Sequence, residues 1–98
     1  MDSSLEYIRL LGEYKQQHAS QYGITRLGIF GSVARGEQTD DSDIDVVMES
    51  SPMSLLTVIG IKYELEDLLG VPVDLVRIHD SMNARLKKRI TKEAIYVS

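Results

Sequence analysis

Cysteine is absent from the 98 residues, which excludes disulfides, zinc-thiolate centres and cysteine nucleophiles together. Also missing is any apolar run of membrane-spanning length. The opening Met1-Asp2-Ser3-Ser4 has no basic segment ahead of an apolar one, so no signal peptide is expected. Basic charge is in deficit: 11 Lys and Arg stand against 15 Asp and Glu, for a net charge of −4. A tight grip on a DNA or RNA backbone needs a basic footprint, and none is expected here. These absences predict a soluble, cytoplasmic protein with no membrane partner.

What is present is ordinary for a globular chain, at 43% hydrophobic and 27% charged residues. The length suits one compact domain over residues 1–98. A domain this small has little room for a deep enclosed cavity, so a complete substrate pocket is expected to need a partner. Charge is also unevenly placed. Asp40, Asp41, Asp43 and Asp45 sit together, whereas Arg77, Arg85, Lys87, Lys88, Arg89 and Lys92 crowd the last quarter. That split suits metal and phosphate better than a polynucleotide.

Periodicity predicts alternating helices and strands. Ser3 with Glu6 reads as a capping box, and Tyr7, Leu11, Tyr14, His18 and Tyr22 then recur at helical spacing up to Gly23. His18 on that stripe is expected to pack at the core edge rather than bind a ligand. Ile24 to Phe30 is a β-rich run ended by Gly31, and Ile44 to Met48 is a second. From Pro52 to Leu69, the residues Val58, Ile61, Leu65, Leu68 and Leu69 share a helical stripe, with Gly70 just past its end. Val71 to Ile78 is a third strand. Asp80 or Ser81 is the expected cap of a last helix in which Met82, Leu86 and Ile90 share a face. This alternation implies an α/β layer structure around a small central sheet.

Three features carry chemistry. Asp43 and Asp45 lie two apart at a strand start, so both carboxylates share a face while Ile44 and Val46 anchor the other. Paired oxygen donors suit magnesium, which keeps positions for water and substrate phosphate. A solvated acidic turn would look similar. A calcium loop built on Asp41, Asp43 and Asp45 fails, because its required glycine is Val46 and its bidentate glutamate is Pro52. Gly31-Ser32 follows a strand directly, where a glycine permits close backbone approach and a helix start offers N–H groups to a phosphate. An ordinary strand-to-helix turn fits those two residues equally well. It is not a P-loop, since no Gly-Lys-Ser/Thr follows at the proper distance. Asp74 stands inside Val71-Pro72-Val73-Asp74-Leu75-Val76, where burial of a carboxylate would demand a partner. That partner is either an arginine such as Arg77 or a metal shared with the first two acids. Of Lys87, Lys88 and Arg89, most are expected to be solvated, because one helix cannot turn all three to one ligand.

Joined together, G-S-V-A-R-G, then S-D-I-D-V-V, then V-D-L-V resembles the polymerase-β-type nucleotidyltransferase superfamily, and within it the minimal nucleotidyltransferase (MNT) proteins. The resemblance runs from about Ile24 to Val76, without departure at the named positions. It implies an α+β fold with a small mixed sheet of three to four strands and helices packed mainly on one side. It further implies that Gly31 and Ser32 hold a nucleoside triphosphate and that Asp43, Asp45 and Asp74 are catalytic metal ligands for two Mg²⁺ ions. Arg35 then either touches phosphate or braces the turn through the acidic loop. The implied activity is transfer of a nucleoside monophosphate, AMP from ATP, onto a hydroxyl. The implied acceptor lies on a small helical HEPN-type partner that the protein restrains as an antitoxin. Two other functions are compatible with the same residues: a non-catalytic module that neutralises a partner by docking, and a small-molecule adenylyltransferase of the antibiotic-modifying kind.

Overall fold

The computed structural model describes residues 3–36 and 43–97, with side chains from Leu5 onward. The Ser3 side chain, on which the capping box rests, and the acidic loop with Asp40 and Asp41 lie outside the described residues. The elements run α1 (Ser3–Tyr22), β1 (Ile24–Phe30), α2 (Gly31–Ala34), β2 (Ile44–Ser50), α3 (Leu55–Leu69), β3 (Val73–Ile78), α4 (Ala84–Glu93) and β4 (Ile95–Tyr96). The sheet order is β3-β2-β1-β4. β1 pairs antiparallel with β2 and β4, whereas β2 and β3 are parallel, joined by the α3 crossover. This is the expected small mixed sheet, with four strands.

Strand alternation divides the sheet into two unlike faces. Leu27 and Ile29 of β1, Ile44, Val46 and Met48 of β2, and Val73 of β3 point to one side. There they meet Leu11 and Tyr14 of α1 and Ile61, Leu65 and Leu69 of α3 in the main core. On the other side Val47, Ile78 and Ile90 form a smaller cluster under α4. Two long helices thus cover one face, and the short α4 covers only part of the other. β2 is the central strand of both layers, and its run from Val46 to Met48 is fully enclosed.

Several boundaries differ from the sequence reading, each for a local reason. α3 begins at Leu55 rather than near Pro52, because the Ser54 hydroxyl accepts the Thr57 N–H and caps the helix. It ends as expected at Gly70, in the left-handed conformation at φ 72°. α4 is capped by Asn83, not Asp80 or Ser81; Asn83 Oδ1 accepts from the N–H groups of Arg85 and Leu86. β3 starts at Val73, after Pro72, since proline has no N–H to give a ladder. β4 was not anticipated. It reaches β1 at Gly28, where a Cβ would strike the Ile95 carbonyl oxygen and the Tyr96 Cα. His18 behaves as core-edge packing, its ring lying 4.4 Å from that of Tyr14 and 5.8 Å from that of Tyr22. Among the described residues, no helix is long and apolar enough to cross a membrane.

Candidate active site on the open sheet face

The parallel register sets Asp45 directly beside Asp74, one strand spacing of about 4.8 Å apart. Phe30, the last residue of β1, faces Asp45 from the other side, so the turn at Gly31 begins next to that carboxylate. Asp45 and Asp74 point away from the main core, on the face that α4 only partly covers, and Asp43 precedes them at the same parity. Val46, on the opposite parity, anchors the strand. One alternation therefore supplies both a buried anchor and an open row of acids.

Gly31 is required twice over. Its φ of 69° is a left-handed conformation that side chains disfavour, and a Cβ there would fall on Asp45 Oδ2. The turn and the carboxylate are packed in contact. α2 starts at Gly31, so the first N–H groups of that helix lack intrahelical acceptors. The Ser32 hydroxyl stands beside them.

Arg35 closes the short helix and lies 3.5 Å from Glu93 of α4, while Arg89 Nε lies 3.9 Å from the same carboxylate. Glu93 thus gathers two guanidinium groups at the edge of the acids. Together Gly31, Ser32, Arg35 and Asp45 on one wall, with Leu86, Arg89 and Glu93 on the other, line a cleft of about 360 Å³. A slightly larger hollow of about 390 Å³ lies between α1 and α3. Among the described residues its charged lining is Glu13, Glu64 and Asp67, with His18 and no Lys or Arg. The chemistry of a phosphate therefore favours the cleft with the two arginines.

Asp45 is the half-buried member of the acid row, and its pKa is raised above the ordinary value. Burial is the largest cause, followed by repulsion from Asp74 and Asp43, with Arg35 acting in the opposite direction. Asp74 itself is exposed. The premise that it is buried mid-strand and must be paired is therefore corrected: it sits on the open face of an edge strand and incurs little desolvation cost. Arg77 is not its partner either. Three residues along, it points the other way, and its Nε donates to the Ser50 hydroxyl at 3.1 Å.

Asp43 and Asp74 are near enough to Asp45 to repel it, yet among the described residues no three acids or histidines are drawn together tightly enough to hold a metal ion alone. That arrangement fits magnesium, which is commonly bound through one or two carboxylates and completed by substrate phosphates. A half-buried carboxylate destabilised by like charge is the donor that a divalent cation relieves. Asp43, Asp45 and Asp74 are the residues that could hold it.

Arg89, grouped in the sequence with the solvated basic run, is indeed largely exposed at 73%, yet it also lines the cleft. Its signal was available in the helical phase: Leu86, Arg89, Ile90 and Glu93 share one face of α4. Arg35 proved to engage Glu93, an acid 58 residues away, while any contact with the acidic loop lies outside the described residues.

Comparison with known proteins bears on the family and the fold. The family model for the nucleotidyltransferase domain matches residues 9–97. The protein adenylyltransferase MntA of Thermococcus cleftensis is 36% identical over 89 residues, covering 90% of this chain and 89% of that protein. A solved structure assigned as a minimal nucleotidyltransferase superposes with a TM-score of 0.77 at 38% identity, over 97% of this chain and 95% of that one. A tri-AMPylated Shewanella oneidensis HEPN toxin in complex with its MNT antitoxin shares the fold, at a TM-score of 0.65 and 16% identity, over 91% of this chain and 70% of that one.

Proposed function

Since the chain belongs to the nucleotidyltransferase-domain family, we propose that it transfers AMP from ATP onto a hydroxyl of a partner protein, in the cytoplasm, as a single domain over residues 1–98. The observation that carries this reading is the register of Asp45 beside Asp74, with the Gly31-Ser32 turn packed on Asp45. A purely structural turn has no need of a glycine that makes room for a carboxylate.

Gly31 and Ser32 hold the triphosphate through backbone N–H groups and the Ser32 hydroxyl, and Arg35 and Arg89 face its negative charge. Asp43, Asp45 and Asp74 would hold two Mg²⁺ ions together with the nucleotide, and magnesium there would supply neutralisation of phosphate charge for an in-line displacement at the α-phosphorus. The acceptor oxygen forms a bond to that phosphorus as the bond to pyrophosphate breaks. Asp74, exposed at the open end of the row, takes the hydroxyl proton. Such catalysis rests on positioning and charge rather than on a covalent enzyme intermediate.

The acceptor lies outside the chain, because the cleft is open and its walls are largely used by the nucleotide. By likeness to MntA and to the HEPN–MNT complex, the acceptor is a small helical HEPN-type toxin, and the protein acts as its antitoxin. Incubation with Mg²⁺, radiolabelled ATP and the protein encoded by the neighbouring gene tests this, and a neighbour of HEPN type would itself support the reading. Label is expected on that neighbour with the wild type and not with Asp43→Asn/Asp45→Asn. Full neutralisation by the double variant, with no label anywhere, would instead establish docking as the whole activity. Label on aminoglycoside-type small molecules, and none on protein, would establish the antibiotic-modifying alternative.

A further inference from the structure

α3 carries two apolar stripes. Ile61, Leu65 and Leu69 are buried against the sheet, as the amphipathic pattern requires. Directly opposite, Leu56, Ile59, Gly60 and Tyr63 recur at the i, i+3, i+4, i+7 spacing of a helix-packing face, and they point to solvent. Leu56 is 81% exposed, Tyr63 59% and Ile59 37%, with Leu55 beside them at 73%. Among the described residues, five of the large exposed apolar side chains belong to this one helix, Leu68 being the fifth, and single scattered ones are the usual finding.

Gly60 sharpens the pattern. It lies in the middle of a helix, where glycine is the least favourable residue after proline. A Cβ there would meet nothing within 4 Å, and its φ is not in the left-handed region. Nothing inside this fold asks for a glycine. A second helix packed closely at that point would.

The stripe is also symmetric about the point between Ile59 and Gly60. If two α3 helices cross antiparallel there, Ile59 of each faces Gly60 of the other, a large residue entering the notch left by a missing side chain. Leu56 of each then meets Tyr63 of the other. The self-complementarity of an isologous interface needs this kind of pairing, residue i on j and j on i. Charge agrees. The first half of α3 has no charged residue, and Asp67, one turn beyond Tyr63, falls beside the Ser54-capped start of the partner's helix, where the helix dipole favours an anion.

We propose that the Leu56-Ile59-Gly60-Tyr63 face of α3 binds a second copy of this chain in an antiparallel, two-fold helix pair. A contact limited to one helix pair falls at or below the low end of specific interfaces, roughly 1,200 Å², so the dimer is reversible. Because α3 covers the core face and the acid row opens on the other, dimerisation leaves both clefts accessible. The inference is independent of what those clefts transfer.

Sedimentation velocity over a concentration series tests it. The wild type is expected to move from monomer to dimer as concentration rises. Leu56→Glu, a surface change, is expected to remain monomeric throughout with an unchanged circular dichroism spectrum. Gly60→Ala separates folding from association: the monomer melts at higher temperature, because alanine favours the helix, while the dimer weakens because the notch is filled. The absence of native cysteine allows the orientation to be read by oxidation. A Leu56→Cys chain mixed with a Tyr63→Cys chain is expected to form a crosslinked heterodimer. The Leu56→Cys chain alone is not, since an antiparallel pair sets its two copies about 10 Å apart along the axis, beyond disulfide reach. A wild type that stays monomeric at every concentration overturns the proposal, including the case in which the stripe serves a different protein. So does a dimer untouched by Leu56→Glu, or efficient crosslinking of Leu56→Cys to itself.

Discussion

Gly31→Ala is the substitution that most directly tests how the turn and the acid row are built. Two costs apply. Gly31 has φ 69°, and placing a side chain in the left-handed region costs about 1–2 kcal/mol. In addition the new Cβ would clash with Asp45 Oδ2, and forcing a side chain aside in a packed region costs about 1–3 kcal/mol. The sum, about 2–5 kcal/mol, is a large part of the roughly 5–15 kcal/mol that stabilises a small domain. Gly70→Ala is the internal control: its φ is 72°, but a Cβ there meets nothing within 4 Å, so only the first cost applies. For a chain of this size each kcal/mol moves the melting temperature by about 4–8 °C. Thermal melts followed by circular dichroism should therefore place Gly70→Ala roughly 5–15 °C below wild type and Gly31→Ala clearly lower still. Transfer should survive in the Gly70 variant, assayed below its melting point, and be lost in the Gly31 variant. Equal melting temperatures for the two variants, with transfer intact in both, would refute the claim that Gly31 exists to admit Asp45.

Other outcomes follow from the same geometry. Asp45 has a raised pKa in the fold, so between its ordinary value of 3.8 and the folded value the native state binds more protons than the unfolded one. Stability is therefore expected to fall as pH rises through that window, and the cost persists at neutral pH. Asp45→Asn should flatten this slope and raise the neutral melting temperature while abolishing transfer. Added Mg²⁺ should raise the melting temperature of the wild type more than that of the variant, and a variant that melts lower at neutral pH would contradict the assignment. Arg89→Ala removes a cation from the cleft wall; steady-state kinetics should show KM for ATP raised roughly tenfold, the size of one charge-assisted hydrogen bond, with kcat little changed. Glu64→Ala acts on the far side of the sheet, where Glu64 accepts from the hydroxyls of Tyr14 at 3.3 Å and Tyr22 at 2.9 Å. It should cost about 1–3 kcal/mol in denaturant titration, the penalty for unpartnered polar groups, and leave KM for ATP unchanged.

The parts of this architecture legible in the sequence are those encoded by periodicity over many residues. The stripe from Leu11 through Tyr14 and the stripe from Ile61 to Leu69 predicted α1 and α3 and the core between them. The alternation of Asp43, Ile44, Asp45 and Val46 predicted which side chains share a face. What was not legible depends on contacts between distant segments. β4 is two residues long, too short for any pattern, and its trace in the sequence is the glycine at position 28. Helix starts were misplaced where two or three cap-forming residues stand in a row, because the choice among Asp80, Ser81 and Asn83 depends on where the chain leaves β3. Asp74 was read as buried, since its neighbours are apolar; the sheet order puts β3 at an edge, with that face open. Arg89 is exposed, as its basic neighbours suggested, but its place on the cleft wall depends on how α4 packs beside Gly31 and Asp45.

The two faces of the sheet make opposite demands on the same strand, and β2 meets both. An acid row is self-repelling, so it opposes compaction unless its backbone is held by something stronger. Here Ile44, Val46, Val47 and Met48 are all enclosed, and the burial of such side chains is worth about 1.5–3 kcal/mol each. That outweighs the exposure-softened repulsion among carboxylates of which two are open to solvent. The hydrophobic positions of β2 therefore act as the clamp that fixes the spacing of Asp43 and Asp45, and the register with β3 then places Asp74 alongside. On the proposed function, cation binding and this clamp would reinforce one another: the fold sets the separation of the oxygens, and an ion would relieve the charge that the fold leaves uncompensated and so stabilise the fold. A small chain can carry such a site because the same alternation that buries one residue exposes the next, without a separate scaffold for the acids.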